Sequence, residues 1–242
     1  MYDHVTVRVP DLAAAERRFQ TLLDQLAFDE THSTRAIAMW GDFAVAQAQD
    51  TATVTRRAHV AFMARSREAV DAFWQAGLTA GLTGDEPPGD GEEGYAAVLR
   101  DKHDNRFAAV DGAAGRRDGH VGHVALCVAD LDAALAFYEG VAAAAGFTLH
   151  RAGAERAIFA GRAAGGLLSL VPGSATEHLH LAFPGDAGAV RRFYASAVEA
   201  GHRPNGEPGE RARYHAGYFA AYVLDPDGNN IEVVDHQEVT PA

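Results

Sequence analysis

Three ionisable side chains stand on separate short apolar strands: His123 in 123–128, His180 in 180–183 and Glu232 in 230–234. Side chains alternate across a strand, so His123 shares a face with Ala125 and Cys127, away from Val124 and Leu126. His180 faces away from Leu181 and Phe183, and Glu232 away from Ile231 and Val233. Two neutral imidazoles and one carboxylate, with positions left open, suit a divalent first-row metal. The pattern leaves a second reading open, in which strand-edge histidines are satisfied by backbone partners. His178 shares the expected face of His180 and is either a rival ligand or a partner behind one. Cys127 reads as a small wall residue, because no helix N-terminus or cation evidently activates it.

The elements that carry these groups recur along the chain. His4-Val5-Thr6-Val7 with Asp11-Leu12 matches His123-Val124-Ala125-Leu126 with Asp130-Leu131 at an offset of 119. Ala58 to Phe62 matches Leu179 to Phe183 at 121, and Tyr95 to Asp101 matches Phe219 to Asp225 at 124. Ordered anchors at nearly constant spacing mark a tandem duplication. Each half reads again as two quarters, opening on strands at 4–9, 59–62, 123–128 and 180–183. Asp11 and Asp130 stand where helix N-caps belong, ahead of apolar residues at helical spacing. Short Gly-punctuated strands follow, such as 35–40, 43–47, 158–160 and 167–171. The expected fold is α+β, with helices outside curved sheets. The division expected is 1–112, a linker at 113–119, and 120–242.

The run Gly217-Tyr218-Phe219-Ala220-Ala221-Tyr222-Val223-Leu224-Asp225-Pro226-Asp227-Gly228-Asn229-Asn230-Ile231-Glu232 resembles the C-terminal signature of the vicinal oxygen chelate superfamily. That superfamily includes glyoxalase I, bleomycin resistance proteins, extradiol dioxygenases and methylmalonyl-CoA epimerase. The resemblance implies four tandem βαβββ units forming two cupped-sheet domains of the glyoxalase/bleomycin resistance/dioxygenase type. It implies His123, His180 and Glu232 as ligands of one divalent metal in the second domain, Fe2+ favoured, with Mn2+, Zn2+, Ni2+ or Co2+ as alternatives. Glyoxalase I-type sites add a carboxylate from the last strand of the other unit, and 166–171 holds no Glu or Gln. Extradiol-type chemistry is therefore narrowly favoured, with His215 and Tyr222 as catalytic hydrogen-bonding groups. The acid–base His that such enzymes carry before the second ligand has no match here. The alternatives are a glyoxalase- or epimerase-type isomerase or lyase, and a metal-free drug-binding protein. Asp225-Pro226-Asp227-Gly228 suits a type I turn that aims Glu232.

The first half is expected to have lost its site. His4 and His59 occupy ligand positions, but Ala108 stands where Glu232 does, and Arg8 brings a cation to the His4 face. Gln47 is the substitute ligand that the resemblance to the epimerase suggests. Composition bounds the rest. The chain has 242 residues, 48% apolar and 22% charged, which is enough to bury a core. A net charge of −12 without a basic stripe argues against nucleic acid. A single cysteine forbids an internal disulfide and fits a reducing compartment. No apolar run approaches membrane length, and Met1-Tyr2-Asp3-His4 lacks a signal-peptide pattern. A cytoplasmic protein acting on a small molecule is expected, with no membrane or nucleic-acid partner and a homodimer left open.

Overall fold

The computed structural model describes residues 1–91, 94–112, 119–162 and 165–237. All but Gly119 of the expected linker lies outside the described residues. The first quarter runs β1 (His4–Val9), α1 (Leu12–Leu23), β2 (His32–Ser33), β3 (Ile37–Trp40) and β4 (Phe43–Gln47). The second runs β5 (Ala58–Met63), α2 (Arg67–Thr79), β6 (Thr83–Gly91), β7 (Gly94–Arg100) and β8 (Arg106–Asp111). The third runs β9 (Val121–Val128), α3 (Leu131–Ala145), β10 (Phe147–Gly153), β11 (Arg156–Gly161) and β12 (Leu167–Pro172). The fourth runs β13 (His180–Pro184), α4 (Ala187–Glu199), β14 (Pro204–Glu210), β15 (Tyr218–Leu224) and β16 (Asn230–His236). Strand–helix–strands is thus repeated four times. The Asp11 and Asp130 carboxylates do cap α1 and α3, accepting from the Ala14 and Ala133 amides.

How the quarters pair differs from the expected division. One eight-stranded sheet has the order β14-β15-β16-β13-β1-β4-β3-β2, and the other β10-β11-β12-β9-β5-β8-β7-β6. The first quarter therefore shares a sheet with the fourth, and the second with the third. Each sheet is sewn at its middle by one antiparallel seam, β1 to β13 and β5 to β9. Neither 1–112 nor 120–242 closes a cup by itself. The helices do follow the halves, α1 against α2 and α3 against α4. Apolar strand faces meet beneath them, as where Phe43 of β4 and Phe62 of β5 approach at 4.9 Å between ring centroids. The opposite faces of the sheets are free to line cups. Among the described residues no helix is long and apolar enough to cross a membrane.

Candidate metal centre

The seam between β1 and β13 determines which side chains meet. His4 pairs in register with Ala182 and Thr6 with His180, while β13 pairs with β16 so that Ala182 lies beside Glu232. On β1, Val5, Val7 and Val9 turn into the core, leaving His4, Thr6 and Arg8 on the cup face. His180, Asn230, Glu232, Tyr218 and Tyr222 line the same cavity, which has a volume of about 840 Å³.

His4, His180 and Glu232 converge there, with one ligand atom of each inside a 4.8 Å cluster. The two imidazole Nε2 atoms are 3.0 Å apart, and Glu232 Oε2 is 2.9 Å from that of His180 and 3.8 Å from that of His4. The other side of each group is occupied. His4 Nδ1 meets the Asp3 carboxylate at 2.7 Å. His180 Nδ1 lies 3.2 Å from the Asn230 carbonyl and 2.7 Å from its side-chain amide. The Tyr218 hydroxyl donates to Glu232 Oε1 at 2.7 Å. Partners behind the ligands fix ring orientation and leave Nε2 pointing inward. This donor set, two imidazoles and a carboxylate with their outer atoms already bonded, fits a divalent first-row ion.

Electrostatics at the centre follow from burial and neighbours. Burial disfavours the His4 cation, but the hydrogen bond to Asp3 and the charges of Glu232 and Asp3 outweigh it and raise its pKa. Burial dominates at His180 and lowers its pKa. Glu232 is also opposed by burial, yet contacts with His180, His4 and Tyr218 hold it below the ordinary carboxylate value. Burial, reinforced by the charge of Glu232, pushes the phenols of Tyr218 and Tyr222 up, so both stay protonated. The Tyr222 hydroxyl is buried and has no hydrogen-bond partner among the described residues, although it lines the cavity.

The structure thus brings together His180, Glu232 and Tyr222 of the expected site residues. It does not bring in His123. That residue is on β9 in the other sheet, with its Nε2 2.8 Å from Ser169 Oγ and its ring 6.3 Å from that of His59. His4 takes the place expected for His123, because the first quarter and not the third is the neighbour of the fourth. The centre accordingly draws on both halves, and His4 and His59 do not share a cup. His215 is exposed at the rim, bonded to His236, which in turn reaches Asp3. Gln47 braces the start of α1, accepting from the Leu12 amide and donating to the Pro10 carbonyl. His178 has φ +57°, so regular alternation does not extend back to it from β13. The strand flanking His4 is β4, not 166–171, and Ala44 and Ala46 are the residues paired with Thr6 and Arg8. Residues that the sequence reading missed are Asp3, Tyr218 and His236 behind the ligands and His32 on the cavity wall.

The other cup has the same plan, but among the described residues it gathers no metal-ligand cluster. Matching by register puts Ala108 at the place of Glu232, Val98 at that of Tyr222 and Gly94 at that of Tyr218. Gly122 precedes His123 where Asp3 precedes His4. The hollow beside His123 measures about 20 Å³.

The profile of the Glyoxalase/Bleomycin resistance protein/Dioxygenase superfamily matches residues 120–233. Over that segment, a little under half of the chain, the sequence is similar to the superfamily. Solved structures extend the likeness to the whole chain. Glyoxalase I from Zea mays is 19% identical, covers 97% of this chain and 92% of its own, and superposes with a TM-score of 0.66. A Bacillus subtilis structure provisionally assigned as a dioxygenase is 12% identical, covers 97% and 84%, and has a TM-score of 0.66. At these identities the likeness shows a vicinal oxygen chelate fold and nothing finer. No curated protein matches the chain.

Proposed function

We propose that this vicinal oxygen chelate protein is a metal-dependent enzyme that holds a small molecule through two adjacent oxygens, with ring cleavage of the extradiol type as the favoured reaction. The observation that carries it is the convergence of His4, His180 and Glu232 in one cavity. These three residues would hold a divalent ion, which supplies Lewis-acid chemistry and, for iron, reaction with O₂. Three protein ligands leave room for two substrate oxygens. Alanines at 44 and 46 on the strand beside His4 offer no fourth carboxylate of the glyoxalase I kind.

The chain's own residues divide the remaining work. Asp3 and Asn230 orient the imidazoles, and Tyr218 holds the outer oxygen of Glu232. Tyr222 has a protonated hydroxyl with no hydrogen-bond partner among the described residues, placed to donate to an ionised substrate oxygen. His215, His236 and Asp3 form a hydrogen-bonded chain from the rim to His4. The test is elemental analysis of anaerobically purified protein, then O₂ uptake with a panel of catechols. One metal per chain with catechol-dependent O₂ uptake supports the reading. Metal without O₂ uptake on any catechol would leave isomerase or lyase chemistry, and protein that binds no metal would overturn the enzyme reading altogether.

A further inference from the structure

The hairpins of the two cups are joined differently. Only 92–93 stand between β6 and β7, whereas 211–217 connects β14 to β15. Arg211, Arg213, Tyr214 and His215 of this longer connection line the cavity of the candidate centre, together with His32 and Ile37 of the first quarter. His215 reaches from it to β16. Its Nε2 lies 3.0 Å from His236 Nδ1, and the two rings stack at 5.2 Å between centroids. His236 Nε2 in turn lies 2.8 Å from Asp3 Oδ2. The other cup lacks every member of this series: Gly112 matches His236 by register, Gly122 takes the place of Asp3, and no residue corresponds to His215.

The hydrogens of the series can be counted. Asp3 Oδ2 and the Ala216 carbonyl, which is 2.8 Å from His215 Nδ1, only accept, so His236 Nε2 and His215 Nδ1 both donate. The two inner nitrogens need one further hydrogen between them, because facing lone pairs at 3.0 Å repel. Two imidazoles with three N–H groups carry one positive charge. The surroundings favour it. Asp3 is opposed by burial, yet bonds from His236 and His4 hold it below the ordinary carboxylate range. At His236 the Asp3 bond outweighs burial and raises the pKa, helped by the charges of Asp3, Glu232 and Asp235. The Tyr218 ring packs near right angles to both imidazoles and stays uncharged. Within the connection, Arg211 lies over Tyr222 and Arg213 over Tyr214, while Glu210 accepts from the Gly217 amide.

We propose that His215 and His236 share one proton and act with Asp3 as a latch, which pins segment 211–217 at the cavity rim and releases it when the proton leaves. A raised folded-state pKa gives the sign. The latch is fully held below the ordinary imidazole pKa of about 6.5 and is lost as pH rises through the raised one. Neither metal nor substrate is required, so the latch is independent of which reaction the centre performs. Imidazole nitrogen NMR on the metal-free full chain tests the shared proton, and tryptic cleavage after Arg213 at several pH values tests the latch. One common titration step at both rings is expected. Cleavage should accelerate through that step, relative to a short peptide of the same sequence. His215→Ala should be cleaved roughly ten- to a hundred-fold faster than wild type below the step, the range for losing a bond to a charged group. His215→Gln, whose amide still donates to His236 Nδ1 but does not titrate, should stay protected and lose the pH dependence. Thermal unfolding of each variant establishes that it is folded. Separate titration of the two rings, cleavage indifferent to pH, a wild-type rate in His215→Ala, or a pH dependence that survives in His215→Gln would each overturn the proposal.

Discussion

Glu232 is buried to 1% exposure, and a carboxylate so enclosed is kept ionised only by what surrounds it. Tyr218 supplies one hydrogen bond and His180 the other. Tyr218→Phe should therefore leave the fold intact yet weaken metal binding by roughly ten- to a hundred-fold, the range for loss of a partner behind a ligand. Competition with a chelator measures this, and an unchanged affinity would mean that Tyr218 is only packing. Tyr222 predicts the opposite pattern. Its hydroxyl makes no hydrogen bond among the described residues, so Tyr222→Phe should retain a full equivalent of metal while turnover falls by roughly ten- to a thousand-fold. The two tyrosines are four residues apart on the cup face of β15, and their variants separate holding the metal from using it. At this scale the sequence was informative. Alternation along β13 and β16 placed His180 and Glu232 on the same face as the structure does, since the period of a strand is a local property, whereas Tyr222 came from the family resemblance.

The turn before β16 shows what an element contributes. Asp225 accepts from the Asp227 and Asn229 amides, the Asn229 side chain and the buried Tyr138 hydroxyl. Asn229 in turn accepts from the Leu179 amide, tying the turn to the start of β13. The first half keeps the same device. Asp101 accepts from the His103 and Asn105 amides and the Asn105 side chain, and Asn105 accepts from the Ala58 amide at the start of β5. Gly228 and Asp104 even share a left-handed backbone, φ +89° and +60°. Because the motif persists where no ligand follows, its first task is folding, and aiming Glu232 is a consequence. Asn105→Ala and Asn229→Ala should each destabilise the protein by about 1–3 kcal/mol in urea unfolding, through buried groups left unpaired. Only Asn229→Ala should also weaken metal binding, since Asn230 and Glu232 follow it directly. Equal metal affinity in both variants would disconnect the turn from the site.

Which quarter pairs with which is a property of the whole molecule, and here strand periodicity is silent. His4 and His123 open equivalent strands, and a tandem repeat is satisfied whether the fourth quarter meets the third or the first. Only the long-range register of β1 on β13 decides for His4. The first expectation is a direct reversal of ligands: His4→Ala should abolish the bound equivalent of metal in the full chain, while His123→Ala should leave it. The equivalence of the first and third quarters carries a further consequence. A protein consisting of residues 113–242 alone has no first quarter, but a second copy can lend its third, placing β9 where β1 now stands. By the register seen at both seams, His123 of one copy would then reach Ala182 of the other and join its His180 and Glu232. The isolated half is therefore expected to be a dimer with two identical centres, one metal per chain, and in it His123→Ala should abolish metal binding. Sedimentation and metal analysis of that half, beside the same substitution in the full chain, check this. A metal-bearing monomer would show that the third and fourth quarters can close on each other, and a half that keeps its metal after His123→Ala would remove the equivalence of His4 and His123 on which the argument stands.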